Sequence, residues 1–460
     1  MKGEEFRGKN VMIVGLGRSG IAALDAAAGF GAKVFVQDSK KEDELPQEIR
    51  DKLSKLGAVC FLGRKPQRED LEKIHTMVIS PGVSPELDFV AEAASLGVNI
   101  IGELELAYET GRGNFIAITG TNGKTTTTTL VGEIFKASGR PTSVVGNIGI
   151  AVIPEALAAT DDRWLVTEVS SFQLETIKEF KPVVSAILNL TPDHLNRHHT
   201  MENYGLAKAR VFENQDENQY YVANMDDEES FKLSKLCKKA KVVPFSRKKV
   251  LDFGACVIDG IITIIDEQGK NTAICKAEEL QIPGAHNLEN ALAAAAICYF
   301  AGIEPKVISE TLKNFMGVAH RLEYCDTVNG VRYVNDSKGT NPDASIKAIE
   351  AMKGNIILIA GGYDKGSDFT DFIKEFKGRV KHMVLMGVTA PKIKEQAEAC
   401  GFTNLHMVAN MEQAVKKCSS LGVSGDVVLL SPACASWDMY KCFEDRGQDF
   451  KEQVAKLQAK

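Results

Sequence analysis

The stretch Thr119-Gly-Thr-Asn-Gly-Lys124-Thr125-Thr126 follows the apolar run Phe115–Ile118 and precedes a helical pattern. Glycines at 120 and 123 let the backbone curl until successive N–H groups face one anion, and the helix behind them adds the positive end of its dipole. Lys124 then offers a charge to the β- and γ-phosphates of a nucleotide, and the Thr125 hydroxyl a ligand for Mg²⁺. Gly120, Thr121, Asn122, Gly123 and Thr126 complete the cradle. The commonest phosphate loop would place a glycine where Ile118 stands. Alone, the stretch could be a tight turn ending in a surface lysine; strand, glycines, Gly-Lys-Thr and helix together point to phosphate binding.

A metal-bound nucleotide also needs an oxygen donor from the protein. Glu168 follows the strand-like run Trp164–Thr167, and a strand-end acid beside a phosphate loop is placed to hold Mg²⁺. The next strand, Val183–Leu190, runs into Asn189-Leu-Thr191-Pro192-Asp193-His194, where Pro192 stops it and leaves Asp193 and His194 in the turn. A second glycine pattern, Gly15-x-Gly17-x-x-Gly20 followed by Asp38, matches the dinucleotide fingerprint. Read alone, it predicts a nicotinamide oxidoreductase. What it encodes is a pyrophosphate cradle, which UDP-sugars also require, and close helix–strand packing would produce it as well.

These residues must be positioned by a layered α/β fold. Short β-rich runs alternate with helical patterns almost throughout, as βαβ units with parallel sheets do. A length of 460 residues accommodates about three domains. Strands at Val11–Val14, Val34–Val36 and Met77–Ile79 make a first unit, residues 1–102. The phosphate loop opens a second, residues 103–317, which also carries a hairpin over 250–275 and a helix at Ala291–Phe300. Strands at Val331–Val334, Ile356–Ile359, Val384–Met386 and Val427–Leu430 make a third, residues 318–460.

Hydrophobic residues form 44% and charged residues 25% of the chain, as in a soluble globular protein. The net charge of -6 gives no electrostatic footprint for nucleic acid. Ten scattered cysteines without a C-x-x-C pair point to reduced thiols in a cytoplasmic protein. The opening MKGEEFRGKN has no apolar signal region and no run reaches membrane-spanning length, so no membrane insertion is expected.

Gly120-Thr-Asn-Gly-Lys-Thr-Thr, Glu168-Val-Ser-Ser-Phe-Gln173, Asp193-His194, Gly284-Ala-His286-Asn287 and His320-Arg321 together resemble the Mur ligases and their relative, folylpolyglutamate synthetase. Asn335-Asp336-Ser-Lys338-Gly-Thr340-Asn341, Gly361-Gly-Tyr-Asp-Lys365 and Leu430-Ser-Pro-Ala-Cys-Ala-Ser436 are similar to the D-glutamate-adding branch. The resemblance implies a Rossmann-like UDP-binding domain, a central ATPase domain and a Rossmann-like C-terminal domain. It implies that ATP phosphorylates the carboxylate of UDP-N-acetylmuramoyl-L-alanine, and that D-glutamate's amine attacks the acyl phosphate through a tetrahedral intermediate.

By the same resemblance, Lys124 contacts phosphates, Thr125 and Glu168 hold one Mg²⁺, and His194 with a carbamylated Lys208 holds a second. Asn287 and Asn290 lie near adenine, while Arg321, Asp336 and Lys338 contact nucleotide and phosphate. Ser19, Ser39, Lys40, Ser80, Gly82 and Asn147 form the UDP-substrate site. Thr340, Lys365, Ser436 and Phe443 form the D-glutamate pocket, although Ser436 and Phe443 also read as a helix cap and a core aromatic. The resemblance further implies a monomeric enzyme of peptidoglycan precursor synthesis, tied to cell shape and division. Three competitors stay open at this point: a family member with another acceptor, an oxidoreductase, and a sensor that binds nucleotide without turnover.

Overall fold

The computed structural model describes residues 3–282, 284–364 and 366–458. Its chain divides into two compact units, Met1–Leu280 with Ala285–Asn314, and Gln281–Gly284 with Phe315–Lys460. The architecture is α/β, with three sheets dominated by parallel strands.

Two sheets lie in the first unit. The smaller has the order Val59–Leu62, Lys33–Asp38, Asn10–Val14, Thr76–Ile79, Asn99–Gly102, and every neighbouring pair is parallel. The strand Asn10–Val14 is apolar on both faces because the sheet is covered on both. Its chain then turns at Gly15 into the helix Arg18–Gly29. Gly20 is required there by contact, since an added Cβ would lie 1.8 Å from the carbonyl oxygen of Gly15.

The larger sheet runs Asn271–Lys276, Ile261–Ile265, Gly254–Ile258, Lys241–Ser246, Tyr220–Asn224, Val184–Ile187, Asn114–Thr119, Trp164–Glu168, Thr142–Gly146. The expected hairpin over 250–275 is a three-stranded antiparallel edge. Asn114–Thr119 is an inner strand, flanked by Trp164–Glu168 and Val184–Ile187 in parallel register. The phosphate loop therefore opens between the carboxyl ends of two other strands, the usual ligand position in such sheets. The strand expected to end at Pro192 stops at Ile187. Asn189 ends the pairing, because its side chain bonds the backbone of Asn122 in both directions.

The second unit has the order Glu323–Val328, Val331–Asn335, Val427–Leu430, Ile356–Ala360, Val380–Leu385, Leu405–Met407. Only the first pair is antiparallel. Apolar clusters cover both faces, with Phe369, Phe372 and Phe376 on one and Tyr333 and Phe450 on the other.

Candidate active site

The turn between Thr119 and the helix Lys124–Ala137 depends on two glycines, at φ +147° for Gly120 and +82° for Gly123. A Cβ on Gly123 would also meet the side-chain oxygen of Asn290 at 2.3 Å. Asn290 is buried behind the loop, accepts from the Thr127 hydroxyl at 3.3 Å and donates to Asn287 at 3.1 Å. The two asparagines thus brace the phosphate loop from the helix Ala285–Phe300.

Lys124 and Lys208 both point their amines into this turn. Lys124 Nζ donates to the carbonyls of Gly120 and Thr121 at 2.9 and 2.8 Å. Lys208, from the helix Met201–Ala209, is 1% exposed and donates to the same Gly120 oxygen at 2.9 Å. Burial, then repulsion from Lys124, holds the Lys208 amine well below its ordinary range. That favours the uncharged form. The Tyr204 ring lies 4.5 Å from its nitrogen.

Glu168 ends the strand Trp164–Glu168 and is 2% exposed. One carboxylate oxygen accepts from the Asn147 amide at 2.8 Å; the other has no hydrogen-bond partner. An unpartnered carboxylate oxygen in a buried site beside a phosphate loop suits a hard cation. Thr125, in the first turn of the helix Lys124–Ala137, is also buried. Among the described residues no three His, Cys, Asp or Glu side chains form a ready-made metal centre. A Mg²⁺ here would draw on substrate phosphates as well as protein oxygens, its common mode of binding.

His194 sits in the turn beyond the same sheet edge at φ +54°, with Nε2 3.5 Å from Asp193 and the Phe172 ring edge-on at 4.9 Å. Burial is the main cause that lowers its pKa, so the imidazole is neutral near pH 7 and free to act as a ligand. The central site therefore gathers Lys124, Glu168, His194 and Lys208 around one loop.

In the smaller sheet, Ser19, Ser39, Lys40, Ser80 and Gly82 stand at the carboxyl ends of neighbouring strands. Ser80 Oγ donates to the Gly15 carbonyl at 2.8 Å. Asp38 accepts from the N–H groups of Leu16 at 2.7 Å and Lys40 at 2.9 Å, one on each oxygen. Asp38 is thus engaged in holding the glycine turn, not presented to a ribose as the oxidoreductase reading requires. Ser19 bonds Glu103, whose other oxygen caps the Val152–Ala158 helix through the N–H groups of Val152 and Ile153.

In the second unit, Arg321, Asp336, Lys338 and Thr340 surround the end of the strand Val331–Asn335. Asp336 accepts from Ser431 Oγ at 2.7 Å and from Leu322 N at 3.3 Å. Burial raises its pKa to about 6. Lys338 lies 5.6 Å from the Phe443 ring. Ser436 is 2% exposed and its hydroxyl has no hydrogen-bond partner. It caps no helix, since the next one is Phe443–Gln458. Phe443 is half-buried at that helix's start, outside the core. Lys365 lies outside the described residues.

Sequence reasoning missed Arg446. Its buried guanidinium donates to Ser337 Oγ and O and to the carbonyls of Cys434 and Ala435, stitching the 335–341 and 431–436 loops together. Burial pushes its pKa down to about 10. The clue available was an arginine, three residues beyond Phe443, in an otherwise solvated helical pattern.

Three domain families match along the chain: a Mur ligase MurD-like N-terminal domain over residues 9–102, a Mur ligase middle domain over 118–298, and a Mur ligase glutamate ligase domain over 320–434. A UDP-N-acetylmuramoylalanine--D-glutamate ligase of Alkaliphilus oremlandii is 51% identical over 98% of each chain. The chain belongs to the Mur ligase family. The ligase of the same name from Clostridioides difficile is 49% identical over 98% of this chain and all of that one. Among solved structures, MurF of Acinetobacter baumannii superposes with a TM-score of 0.59 at 16% identity, covering 99% of this chain and 91% of that one. MurC of Thermotoga maritima gives 0.57 at 20%, covering 97% and 99%. Those likenesses establish the fold of this Mur ligase, three α/β domains in sequence.

Proposed function

We propose that this Mur ligase couples ATP hydrolysis to the joining of D-glutamate to UDP-N-acetylmuramoyl-L-alanine, with the residues around Gly120 performing the activation. The observation that carries this reading is the full-length identity of about half with D-glutamate ligases, combined with a buried site built for anion activation. Competitors that bind nucleotide without chemistry leave the unpartnered Glu168 oxygen and the buried Lys208 amine, its pKa lowered by burial, without purpose.

The chemical problem is that a carboxylate is a poor electrophile. Its oxygen attacks the γ-phosphorus of ATP, the bond to the β-phosphate oxygen breaks, and ADP leaves. The amine of D-glutamate then adds to the acyl carbon, the tetrahedral intermediate expels phosphate, and the nitrogen releases a proton. Both reactants of the first step are anions, so cationic groups in a water-poor cradle must offset their repulsion. Lys124 and the N–H groups of residues 120–126 do this for the phosphates. Thr125 and Glu168 would hold one Mg²⁺, and His194 with Lys208 a second; bound there, the ions would neutralise phosphate charge. An uncharged, buried amine is the form that adds CO₂, losing one proton to become an anionic carbamate with oxygen ligands. Asn287 and Asn290 face the adenine side, with Arg321, Asp336 and Lys338 on the nucleotide and phosphate from the C-terminal domain.

Ser19, Ser39, Lys40, Ser80, Gly82 and Asn147 bind the UDP-sugar end. Thr340, Lys365, Ser436 and Phe443 receive D-glutamate, where a cation and hydroxyls suit two carboxylates. Domain limits of 1–102, 103–317 and 318–460 follow this division of labour. Among the described residues no helix is long and apolar enough to cross a membrane. With UDP-linked and ATP substrates, we assign the enzyme to the cytoplasm as a monomer without nucleic-acid partners.

The deciding experiment is phosphate release from ATP, Mg²⁺ and UDP-N-acetylmuramoyl-L-alanine with D-glutamate, L-glutamate, glycine or meso-diaminopimelate supplied separately. Release with D-glutamate alone, and a product of the matching mass, is expected. Release with another amine changes the acceptor; none with any amine, from folded protein that binds ATP, removes the catalytic reading.

A further inference from the structure

Two arginines join the loops of the smaller sheet to those of the larger one, and neither belongs to the residues assigned above. Arg18 begins the helix Arg18–Gly29 and donates to the carbonyls of Gly146 at 3.3 Å and Gly149 at 2.7 Å. Those carbonyls bracket Asn147, whose backbone N–H and side-chain amide bond the carbonyl and carboxylate of Glu168 at 2.9 and 2.8 Å. Arg197 reaches in the opposite direction. From the helix Leu195–His198 it donates to the carbonyls of Pro81 at 2.8 Å and Val83 at 3.1 Å, which bracket Gly82. Its side chain is 13% exposed, is paired with Glu175, and lies over the Phe172 ring at 4.1 Å. The other side of that contact is functional, because Phe172 also packs edge-on against His194.

A guanidinium presents several donors in a fixed plane, so one side chain can serve two diverging carbonyls at once. Gly146 closes the strand Thr142–Gly146, and Pro81–Val83 follow the strand Thr76–Ile79, so each fork fastens the chain at or just beyond a strand end. Each fork therefore adds a side-chain tie to the backbone bonds already present, and does so at the place where a sugar-nucleotide group and a metal-bearing loop meet.

We propose that Arg18 and Arg197 form a reciprocal clasp: positioning residues that fix Gly82 to the His194 turn and Asn147 with Glu168 to the glycine turn. Binding of the nucleotide end of the substrate is thereby aligned with the site at which its far carboxylate is phosphorylated. The clasp rests on the assignment of Gly82, Asn147, Glu168 and His194 given under Proposed function. Neither arginine needs to touch a reacting atom.

The test uses the full chain with Arg18→Ala, Arg197→Gln and Arg197→Lys. Turnover of UDP-N-acetylmuramoyl-L-alanine by the unsubstituted chain checks the underlying function separately. Calorimetric Kd for that substrate without ATP, both KM values, kcat and Tm are then compared. Loss of charge-assisted bonds predicts a rise of about tenfold in Kd and KM for the UDP substrate, with kcat reduced and the ATP KM changed less than about twofold. Arg197→Lys keeps the charge but not the fork, so it recovers less than half of the Arg197→Gln loss. A UDP-substrate Kd unchanged by both Arg18→Ala and Arg197→Gln overturns the clasp. So does a parallel rise in the ATP KM, which would mean general loosening. Arg18 is exposed, so Arg18→Ala alone decides the matter if Arg197→Gln does not fold.

Discussion

The first unit contains two glycine-rich turns, each between an apolar strand and a helix, that have opposite relations to their own polar groups. At Gly15–Gly20 the polar side chains are turned inward: Asp38 and Ser80 are occupied by Leu16, Lys40 and Gly15. At Gly120–Lys124 they are held in tension. Two lysine amines share one carbonyl, a carboxylate oxygen lacks a partner, and burial lowers the pKa of Lys208. The first turn satisfies its own polar side chains and offers its backbone to a ligand; the second leaves a buried carboxylate oxygen suited to a cation. A self-satisfied turn serves recognition, while an unsatisfied one stores the electrostatic asymmetry that chemistry needs.

The strongest way to break this contrast is Glu168→Gln. It retains the acceptor for Asn147 and removes a buried charge. Phosphate release should fall by about 10³-fold. The Tm should hold or rise, because a buried carboxylate with a free oxygen costs stability. A large fall in Tm with activity retained would recast Glu168 as a structural residue. Lys208→Met comes next, with an expected loss of about 10²-fold. A carbamate carbon signal from labelled bicarbonate should appear in the unsubstituted chain and vanish in this variant. Its absence in both would leave the second metal to His194 and substrate oxygens.

Much of this contrast was legible in the residues. Gly120, Gly123, Lys124 and Glu168 stood out because glycine spacing, strand ends and the lysine each leave a local mark. The glycines at 15, 17 and 20 left an equally clear mark that pointed in two directions. Only the three-dimensional placement of Asp38 separated them, since one dipeptide spacing serves a ribose contact or a backbone brace. Lys208 was visible only through resemblance; its burial arises from the packing of the helix Met201–Ala209, which periodicity does not report. Arg446, Arg18 and Arg197 act on backbone carbonyls far away in sequence, and such bonds carry no residue-type signature at their acceptor. Ser436 stands out in the sequence through resemblance, and its alternative reading as a helix cap fails because the following helix begins seven residues later, at Phe443.

The turn that carries His194 can also be probed by pH. His198 lies beside His194, with Nε2 2.9 Å from Ser171 Oγ and Nδ1 3.4 Å from Glu175. Burial, followed by repulsion from Arg197 and Lys208, lowers its pKa to about 4. Between pH 6.5 and about 4 the unfolded imidazole therefore binds more protons than the folded one. The unfolding free energy contributed by this group is full above pH 6.5 and is lost as pH falls through that window, by at most about 3 kcal/mol. Denaturant titrations at several pH values should show this slope, and His198→Gln should flatten it. An unchanged slope would place the imidazole's neutral preference elsewhere.

The smallest expected effect tests the self-satisfied turn. Asp38→Asn keeps one acceptor oxygen but sets an amide N–H₂ against whichever of Leu16 N or Lys40 N loses its carboxylate partner. One mismatched backbone donor in this half-exposed place should cost about 1 kcal/mol of stability. The turn would loosen without losing its glycines, so the KM for UDP-N-acetylmuramoyl-L-alanine should rise severalfold while the ATP KM is unchanged. NAD should bind neither chain. An ATP KM that moves with the UDP-substrate KM would show that the two turns are energetically one site, and the contrast between them would fail. Affinity for NAD in the unsubstituted chain, abolished by Asp38→Asn, would restore the ribose role to Asp38 and contradict the brace seen at Leu16 and Lys40.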